Sequence, residues 1–504
     1  MIASHRELYP RRFLGMLAAS AVIGAALRLL TLGHGTLFRD DAWVALTSRT
    51  SLANAWHISG ASPLYTLAMR VWAGWTASHT WLMQLPTLIV ATAGIVLVGL
   101  TARYMGLSQR ASALASAVVA FSPVAIAYST HLKPYSHDIF VASALLFTAT
   151  LFFRSSSPWW FAVTATVSLL TSLTALPFVI GLSLAVVVHA VRLDRLKELV
   201  RPAVLLGVPV AFFVALVSGN LSSRLTRSWR ANFIDWSSPS SALHSTTTIL
   251  KGLFGGLVAT TPRVGIHGAG TFVLLASIAL VLMGMTRRVH RTLPLAGLSV
   301  AALACGAGLV PLGTGRTDSY LYPALAILMG AGVEALHTRE SRFVRLGAQL
   351  TMAAVLIVGV TSLCLHPPRY PGGDIRPALA TLDKARGEGA GVIVEGTARW
   401  PYVWQSKISW KPVFSNDYNT GFAPLVSVPH TVVMPGSQIE GNFHPLYTVR
   451  SMSDYPVIAT LRATDWVTPD PLAPALRKSC YALVMSQSWS EYEVDTWHAG
   501  HCVR

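Results

Sequence analysis

The sequence predicts a multi-pass α-helical membrane protein that ends in a small α/β domain. Three observations carry this. The chain is 52% hydrophobic and only 12% charged, with a mean hydropathy of +0.50, whereas a soluble protein carries about 25% charged residues. Apolar runs recur along residues 1–365, many approaching the ~20 residues that a helix needs to cross a bilayer. The remainder, 366–504, is less apolar, rich in Pro and Gly, and shows short strand-like runs.

The apolar runs are 13–30, 81–100, 111–128, 139–153, 159–173, 176–191, 202–219, 270–285, 293–312, 320–336 and 346–365. Hydropathy therefore predicts about eleven transmembrane helices. The first run follows Arg11 and Arg12, as in a signal peptide, but it lacks a small-residue cleavage site. More spans follow it, so it reads as a retained helix. "SLLTSLTALPF", within 168–178, reads as a tight turn between two short helices.

The basic residues orient these spans. With a cytoplasmic N-terminus, the inner loops hold Arg103 and Arg110, Arg154, the group Arg192, Arg195, Lys197 and Arg201, then Arg287, Arg288 and Arg291, and finally Arg339, Arg342 and Arg345. Every inner loop is basic, as the positive-inside rule requires. The segments 31–80, 129–138, 220–269 and 313–319 then lie outside, as does 366–504. The net charge of +17 is no signature of nucleic-acid binding, because it resides in these short clusters between apolar runs.

The division expected is a membrane domain, 1–365, followed by an extracytoplasmic α/β domain, 366–504. The first outer loop, 31–80, carries Trp43, Trp56, Trp72 and Trp75, which suit helices lying in the membrane interface. In the tail, "DIRPALATLDKA" reads as a helix, and "GVIVEG", "TVVMP" and "CYALVMS" read as strands. Cys480 and Cys502 lie there, on the oxidising side, and form either a disulfide or two free thiols. No CxxC or Cys/His zinc pattern occurs.

Four outer clusters carry chemistry. "FRDDAW" places Asp40 and Asp41 at the membrane surface. An N-cap for a helix beginning at Ala42 accounts for one carboxylate and leaves the other unexplained. "YSTHLKPYSHDIF" brings His131, Lys133, Tyr135, His137 and Asp138 beside the membrane. Asp138 could be an N-cap and Lys133 a snorkelling surface lysine, but ionisable residues at a span end on the same side as the Asp pair suggest one shared site. "GTGRTDSYLYP" puts Arg316 outside, against the charge rule, with Asp318 as its local partner. The loop 220–269 holds Arg224, Arg227, Arg230, Lys251 and Arg263 against the single acid Asp235. On a helix, Arg224, Arg227 and Arg230 form one stripe, which is either a solvated face or a site for a phosphate-bearing ligand.

Carboxylates and cations together suit group transfer from a lipid-linked phosphate. Cations hold the leaving phosphate, and a carboxylate takes the proton of an acceptor hydroxyl. A transporter or lipid flippase is the alternative, but such proteins place ionisable residues near the midplane. Here Arg28, Asp138 and Glu334 lie toward span ends. A non-catalytic scaffold with an outer domain is a further alternative.

Several stretches also match a known pattern. "LRLLTLGHGTLFRDDAWVAL" looks like the end of a first helix, where Arg-Leu and Leu-Gly precede an acidic pair. "SPLYTLAMRVW" resembles a Pro-Pro-Leu-Tyr segment with one proline missing. "SPVAIAYSTHLKPYSHDIFVA" resembles a third-to-fourth helix turn with a basic residue, Pro-Tyr and an acid. "GRTDSYLYPALAIL" resembles a late Arg-Tyr-Leu-x-Pro element with added residues, and "DIRPALATLDKARGEGAGVIVEG" the start of an outer soluble domain. In these motifs, their order and their sidedness, the chain resembles the GT-C superfamily of polytopic glycosyltransferases. It is nearest the branch of bacterial protein O-mannosyltransferases and the lipid A aminoarabinose transferase.

The resemblance implies a GT-C fold in a bacterial plasma membrane. It also implies inverting transfer of a hexose or pentose from a polyprenyl monophosphate donor to a glycan, lipid or protein acceptor. Asp40 matches the general base. Asp41 stands where the family has Glu, with acceptor orientation or metal support as its role. Lys133 and Asp138 match the second cluster, with Tyr135, His137 and His131 as its supports. Arg316 matches the basic residue at the donor phosphate, and Arg224 and Arg227 are further phosphate candidates. Some members use a divalent cation, for which Asp40, Asp41 and Asp138 are the candidate ligands.

Overall fold

The computed structural model describes residues 10–500, except 34, 52–61, 77–78, 155–156, 209–210, 212–228, 259–268, 287, 339–341, 366–369, 371–372, 415–421, 435–444, 465–471 and 490. The chain divides into two compact units. One is Met1–Leu32 with Gln84–Arg369, and the other is Gly33–Met83 with Tyr370–Arg504. The segment Gly33–Met83, expected within the membrane domain, groups with the C-terminal region.

The first unit is a helical bundle. Its helices are Arg11–Leu29, Thr80–Tyr104 from Gln84 onward, Gln109–Ala120, Asp138–Phe153, Trp159–Thr171, Leu176–Arg192, Ala269–Met285, Arg288–Gly306, Tyr322–His337 and Arg342–Leu365. Each overlaps one predicted apolar run, although Gln109–Ala120 and Arg288–Gly306 stop short of the ends of theirs. By length and composition, five helical segments among the described residues can cross a membrane. A sixth is the bent pair Gln109–Ala120 and Pro123–Thr130, which turns by 56°. Pro123 cannot donate to the helical ladder, and the Ser122 hydroxyl caps the new helix at the Ala125 N–H. The other helices carry shorter apolar stretches, Trp159–Thr171, Val273–Met285, Arg291–Gly306 and Gln349–Leu365. The run 202–219 holds the end of the Leu196–Pro202 helix and a wide turn, Ala203–Gly207, and then passes largely outside the described residues. The protein is a multi-pass α-helical membrane protein.

Helix Tyr322–His337 lies at the centre of this unit. Its residues from Tyr322 to Gly332 are all buried, as befits a helix that is apolar all round. It packs on Ala269–Met285, Gln109–Ala120, Arg288–Gly306, Arg342–Leu365 and Asp138–Phe153. Arg28 explains itself here. Its buried guanidinium donates to the carbonyls of Gly24, Ala120 and Val119 at 2.9, 3.1 and 3.2 Å. Two of these carbonyls belong to the C-terminal end of the Gln109–Ala120 helix, which carries the negative end of the helix dipole.

One helix escaped the hydropathy reading. Pro239–Val258 runs for 20 residues through the stretch expected as a basic outer loop. Ser, Thr, His and Lys dilute its apolar content, yet Ile249, Leu253, Phe254, Leu257 and Val258 bury one face.

The second unit combines helices Arg39–Arg49 and Pro63–Thr76 with the C-terminal α/β fold. Its main sheet has the order β4-β1-β5-β7-β6, formed by Thr431–Val433, Gly391–Val394, Val457–Ala463, Tyr492–Ala499 and Tyr481–Trp489. β1 is parallel to β4 and β5, whereas β7 is antiparallel to β5 and β6. Helix Arg376–Gly387 covers this sheet. A separate ribbon pairs β2, Trp410–Phe414, with β3, Phe422–Val426. Three of these strands and this helix are the ones read from sequence. On Pro63–Thr76, the apolar residues Leu64, Leu67, Val71 and Trp75 form one exposed stripe, the pattern of a helix lying in a membrane interface.

Candidate functional site

In the second unit, the segment "FRDDAW" opens the Arg39–Arg49 helix. Phe38 is the N-cap and no side chain caps the helix, so Asp40 and Asp41 both lie in the first turn. The N-cap explanation of either aspartate is therefore wrong. Carboxylates in a first turn are stabilised by the free N–H groups there. The two differ sharply. Asp41 is fully buried, and its Oδ2 accepts a 2.6 Å hydrogen bond from the Tyr370 hydroxyl. The same Tyr370 oxygen accepts the Phe38 N–H at 2.8 Å. Asp40 is only half-buried. Successive helical side chains diverge by about 100°, so burying one leaves its neighbour turned elsewhere.

Tertiary partners hold this helix. Thr36 Oγ1 donates to the Gly373 carbonyl at 2.7 Å. Helix Arg399–Ser406 packs on Arg39–Arg49, with the Arg49 guanidinium 4.0 Å over the Trp404 ring. The sequence reading did not find Tyr370 or Trp404, for which no local pattern exists.

In the first unit, the turn 128–138 forms the second cluster. Short 3₁₀ turns, Tyr128–Thr130 and Pro134–His137, lead into the Asp138–Phe153 helix. Pro134 fixes the start of the second turn. Thr130 Oγ1 donates to the Thr31 carbonyl at 3.1 Å, tying this turn to the end of the first helix. His131, Lys133 and Tyr135 are buried, and the rings of His131 and Tyr135 lie 5.0 and 5.6 Å from Tyr128. Asp138 is fully buried. It is not an N-cap, because its helix has His137 in that position without a side-chain cap. Its Oδ2 accepts from Thr174 Oγ1 at 2.7 Å, and Thr174 is hydrogen-bonded to Ser172 at 2.8 Å. Asp138 thereby fixes the turn between the two short helices that sequence predicted.

Arg316 meets Tyr135. Its Nε donates to the Tyr135 hydroxyl at 2.9 Å, and its guanidinium lies 5.4 and 5.8 Å from the centres of the Tyr135 and Trp229 rings. The loop that presents it is organised by buried Asp318. Its carboxylate accepts from Gly313 N–H at 2.7 Å, Thr314 Oγ1 at 3.1 Å and Arg316 N–H at 3.2 Å. Burial pushes the Asp318 carboxyl above the usual range, and those hydrogen bonds oppose the shift. Gly313 is left-handed, with φ +73°, and a Cβ there would lie 2.6 Å from the Ile249 backbone. Only glycine fits this approach. Asp318→Asn should destabilise the protein by about 1–3 kcal/mol, because an amide turns N–H groups toward N–H donors. Thermal unfolding in detergent measures it, and an unchanged midpoint refutes the role.

Arg224, Arg227 and Cys502 lie outside the described residues, whereas Arg230 lies exposed on a short 3₁₀ turn, Arg230–Asn232. Cys480 is disulfide-bonded, and Cys305 and Cys364 are free thiols. Among the described residues, no group of three or more His, Cys, Asp or Glu converges to hold a metal. One oxygen each of Asp41 and Asp138 is taken by Tyr370 and Thr174.

Comparison with solved structures identifies the fold. The chain is similar to ArnT from Cupriavidus metallidurans in the apo state, with a TM-score of 0.56 and 13% identity over 96% of this chain and 97% of that one. It is also similar to ArnT from Cupriavidus metallidurans bound to undecaprenyl phosphate, with a TM-score of 0.53 and 13% identity over 97% and 98%. No protein-family model matches the sequence, and neither does the sequence of any curated protein. The chain has the GT-C fold, as the motif resemblance implied.

Proposed function

We propose that the protein transfers a sugar from a polyprenyl monophosphate donor to an acceptor hydroxyl, with inversion, on the extracytoplasmic face of a bacterial plasma membrane. The observation that carries this reading is the GT-C fold, matched along nearly the whole length of a structure that was also solved with undecaprenyl phosphate. In the proposed reaction the acceptor oxygen attacks the anomeric carbon. The bond from that carbon to the phosphate oxygen breaks, polyprenyl phosphate leaves, and the acceptor proton passes to Asp40.

The residue roles follow from chemistry. Asp40 is the less buried member of the acidic pair, so it is the one able to receive a proton. Asp41 positions the helix through Tyr370. Lys133 and Arg316 supply positive charge for the leaving phosphate, with Tyr135 holding Arg316. Such preorganised cations act on charge that develops as the bond breaks. The reading derives no step from a metal ion.

The experiment is to incubate the purified full chain with synthetic polyprenyl-phosphate sugars, mannosyl and arabinofuranosyl among them, and candidate acceptors. Mass spectrometry should show one donor consumed and its polyprenyl phosphate released. Failure with every pair would sink the reading. The membrane orientation has its own test. Ser240→Cys, in a Cys364→Ser background, should be labelled in intact cells by a membrane-impermeant thiol reagent. Labelling only after lysis would reverse the orientation.

A further inference from the structure

A second binding site lies in the first unit, at the end of the Asp138–Phe153 helix remote from Lys133 and Arg316. A cavity of about 530 Å³ runs between helices Leu176–Arg192 and Arg288–Gly306, within the ~300–1,000 Å³ range of ligand pockets. Leu184, Val188, His189 and Arg192 line one wall on a single helical face, and Ala296 and Val300 line the other. A Cβ on Gly181 would lie 2.3 Å from the Ala296 carbonyl oxygen, so the two helices touch at backbone level and their larger side chains form the walls.

The walls are apolar and open. Leu184 is 55% and Val188 49% exposed, on a span of a membrane helix. The end of the cavity is different. Arg192 is exposed and has no ion-pair partner among the described residues. The His189 ring stacks on Phe153 at 3.9 Å with an 11° interplanar angle, which fixes its orientation. Its Nε2 is buried and has no hydrogen-bond partner. The site therefore joins an apolar trench to a cation. From Gly181 to Arg192 the trench runs about 16 Å at the helical rise. Lys197 and Arg201 add exposed positive charge on the segment that follows.

We propose that this trench binds one anionic diacyl phospholipid of the surrounding membrane. An acyl chain lies along Leu184, Val188 and Val300. Arg192 meets the phosphate. Charge complementarity selects this occupant, because a zwitterionic lipid would bring its own cation beside Arg192, Lys197 and Arg201, and a soluble anion would leave the apolar walls to the membrane. Basic pockets between helices at a membrane surface recognise anionic headgroups in this way.

The test is native mass spectrometry of the full chain in detergent with equimolar phosphatidylglycerol and phosphatidylcholine. The wild type should retain one phosphatidylglycerol in preference to phosphatidylcholine. Arg192→Gln should reduce that adduct by about fivefold or more, the effect of one cation at a lipid surface. Val188→Trp should fill the trench and remove the adduct, with helicity by circular dichroism unchanged. Equal retention of the two lipids by the wild type overturns the proposal, and that comparison needs no variant to fold. An undiminished adduct in Arg192→Gln also overturns it. So does displacement of phosphatidylglycerol by equimolar undecaprenyl phosphate, which would make this a prenyl-lipid site.

Discussion

Asp40→Asn should lower turnover by about 10²-fold or more, the usual contribution of a positioned general base. The amide keeps the size of the side chain but cannot take the proton of an acceptor hydroxyl. Folding should survive, because the Arg39–Arg49 helix uses no side-chain cap. The lost charge near the helix start costs only about 0.3–1 kcal/mol. Asp41→Asn should show the opposite balance. Asp41 is fully buried against the Tyr370 hydroxyl, so its replacement should cost about 1–3 kcal/mol of stability and much less turnover per folded molecule. Donor consumption by mass spectrometry and thermal unfolding separate the two. If Asp41→Asn abolishes turnover and Asp40→Asn does not, the base is Asp41. Full activity in both ends the transferase reading.

Lys133→Ala and Arg316→Ala should each weaken donor use, because each removes a cation proposed to meet the phosphate. A charge-assisted bond contributes about 1.5–3 kcal/mol, or roughly 10- to 150-fold in donor affinity. The loss should appear mainly in KM for the donor. Arg316→Lys tests geometry separately from charge. Lysine keeps the cation but loses the Nε–H that meets Tyr135 and the flat face near Trp229. It should retain only part of the affinity. Wild-type KM in both alanine variants would move the phosphate elsewhere, with Arg224 and Arg227 the next candidates.

The bundle was legible because a bilayer demands long apolar stretches, and such stretches show in local composition. The turn "SLLTSLTALPF" was legible for the same reason, since two short helices must be joined by something polar. Pro239–Val258 was not, because burial against other helices needs only one apolar face, and Lys251, His244 and several hydroxyls share the sequence with it. The site divides along the same line. Charged residues at span ends stand out against an apolar background, so Asp40, Lys133, Asp138 and Arg316 are candidates that sequence alone can raise. Their partners could not. Tyr370 lies 329 residues from Asp41, and Tyr135 lies 181 from Arg316. Side-chain pairing at such separations leaves no periodicity. Asp318 was taken as a partner for the charge of Arg316, whereas its carboxylate gathers the backbone donors of its own loop.

The union of Gly33–Met83 with Tyr370–Arg504 also sets a timetable for biosynthesis. The Arg39–Arg49 helix is among the first segments to leave the ribosome, but Tyr370, Gly373 and Trp404, which hold it, are made far later. At about 5–20 residues per second, the 329 residues between Asp41 and Tyr370 take roughly 15–65 s to synthesise. Throughout that interval the acidic pair lacks its clamp, while the helices that follow are inserted one after another. A chain ending before Tyr370 would keep Asp40, Lys133 and Arg316 but lack the Tyr370, Gly373 and Trp404 contacts to the Arg39–Arg49 segment. Completion of the polypeptide is therefore what closes the clamp on the acidic pair.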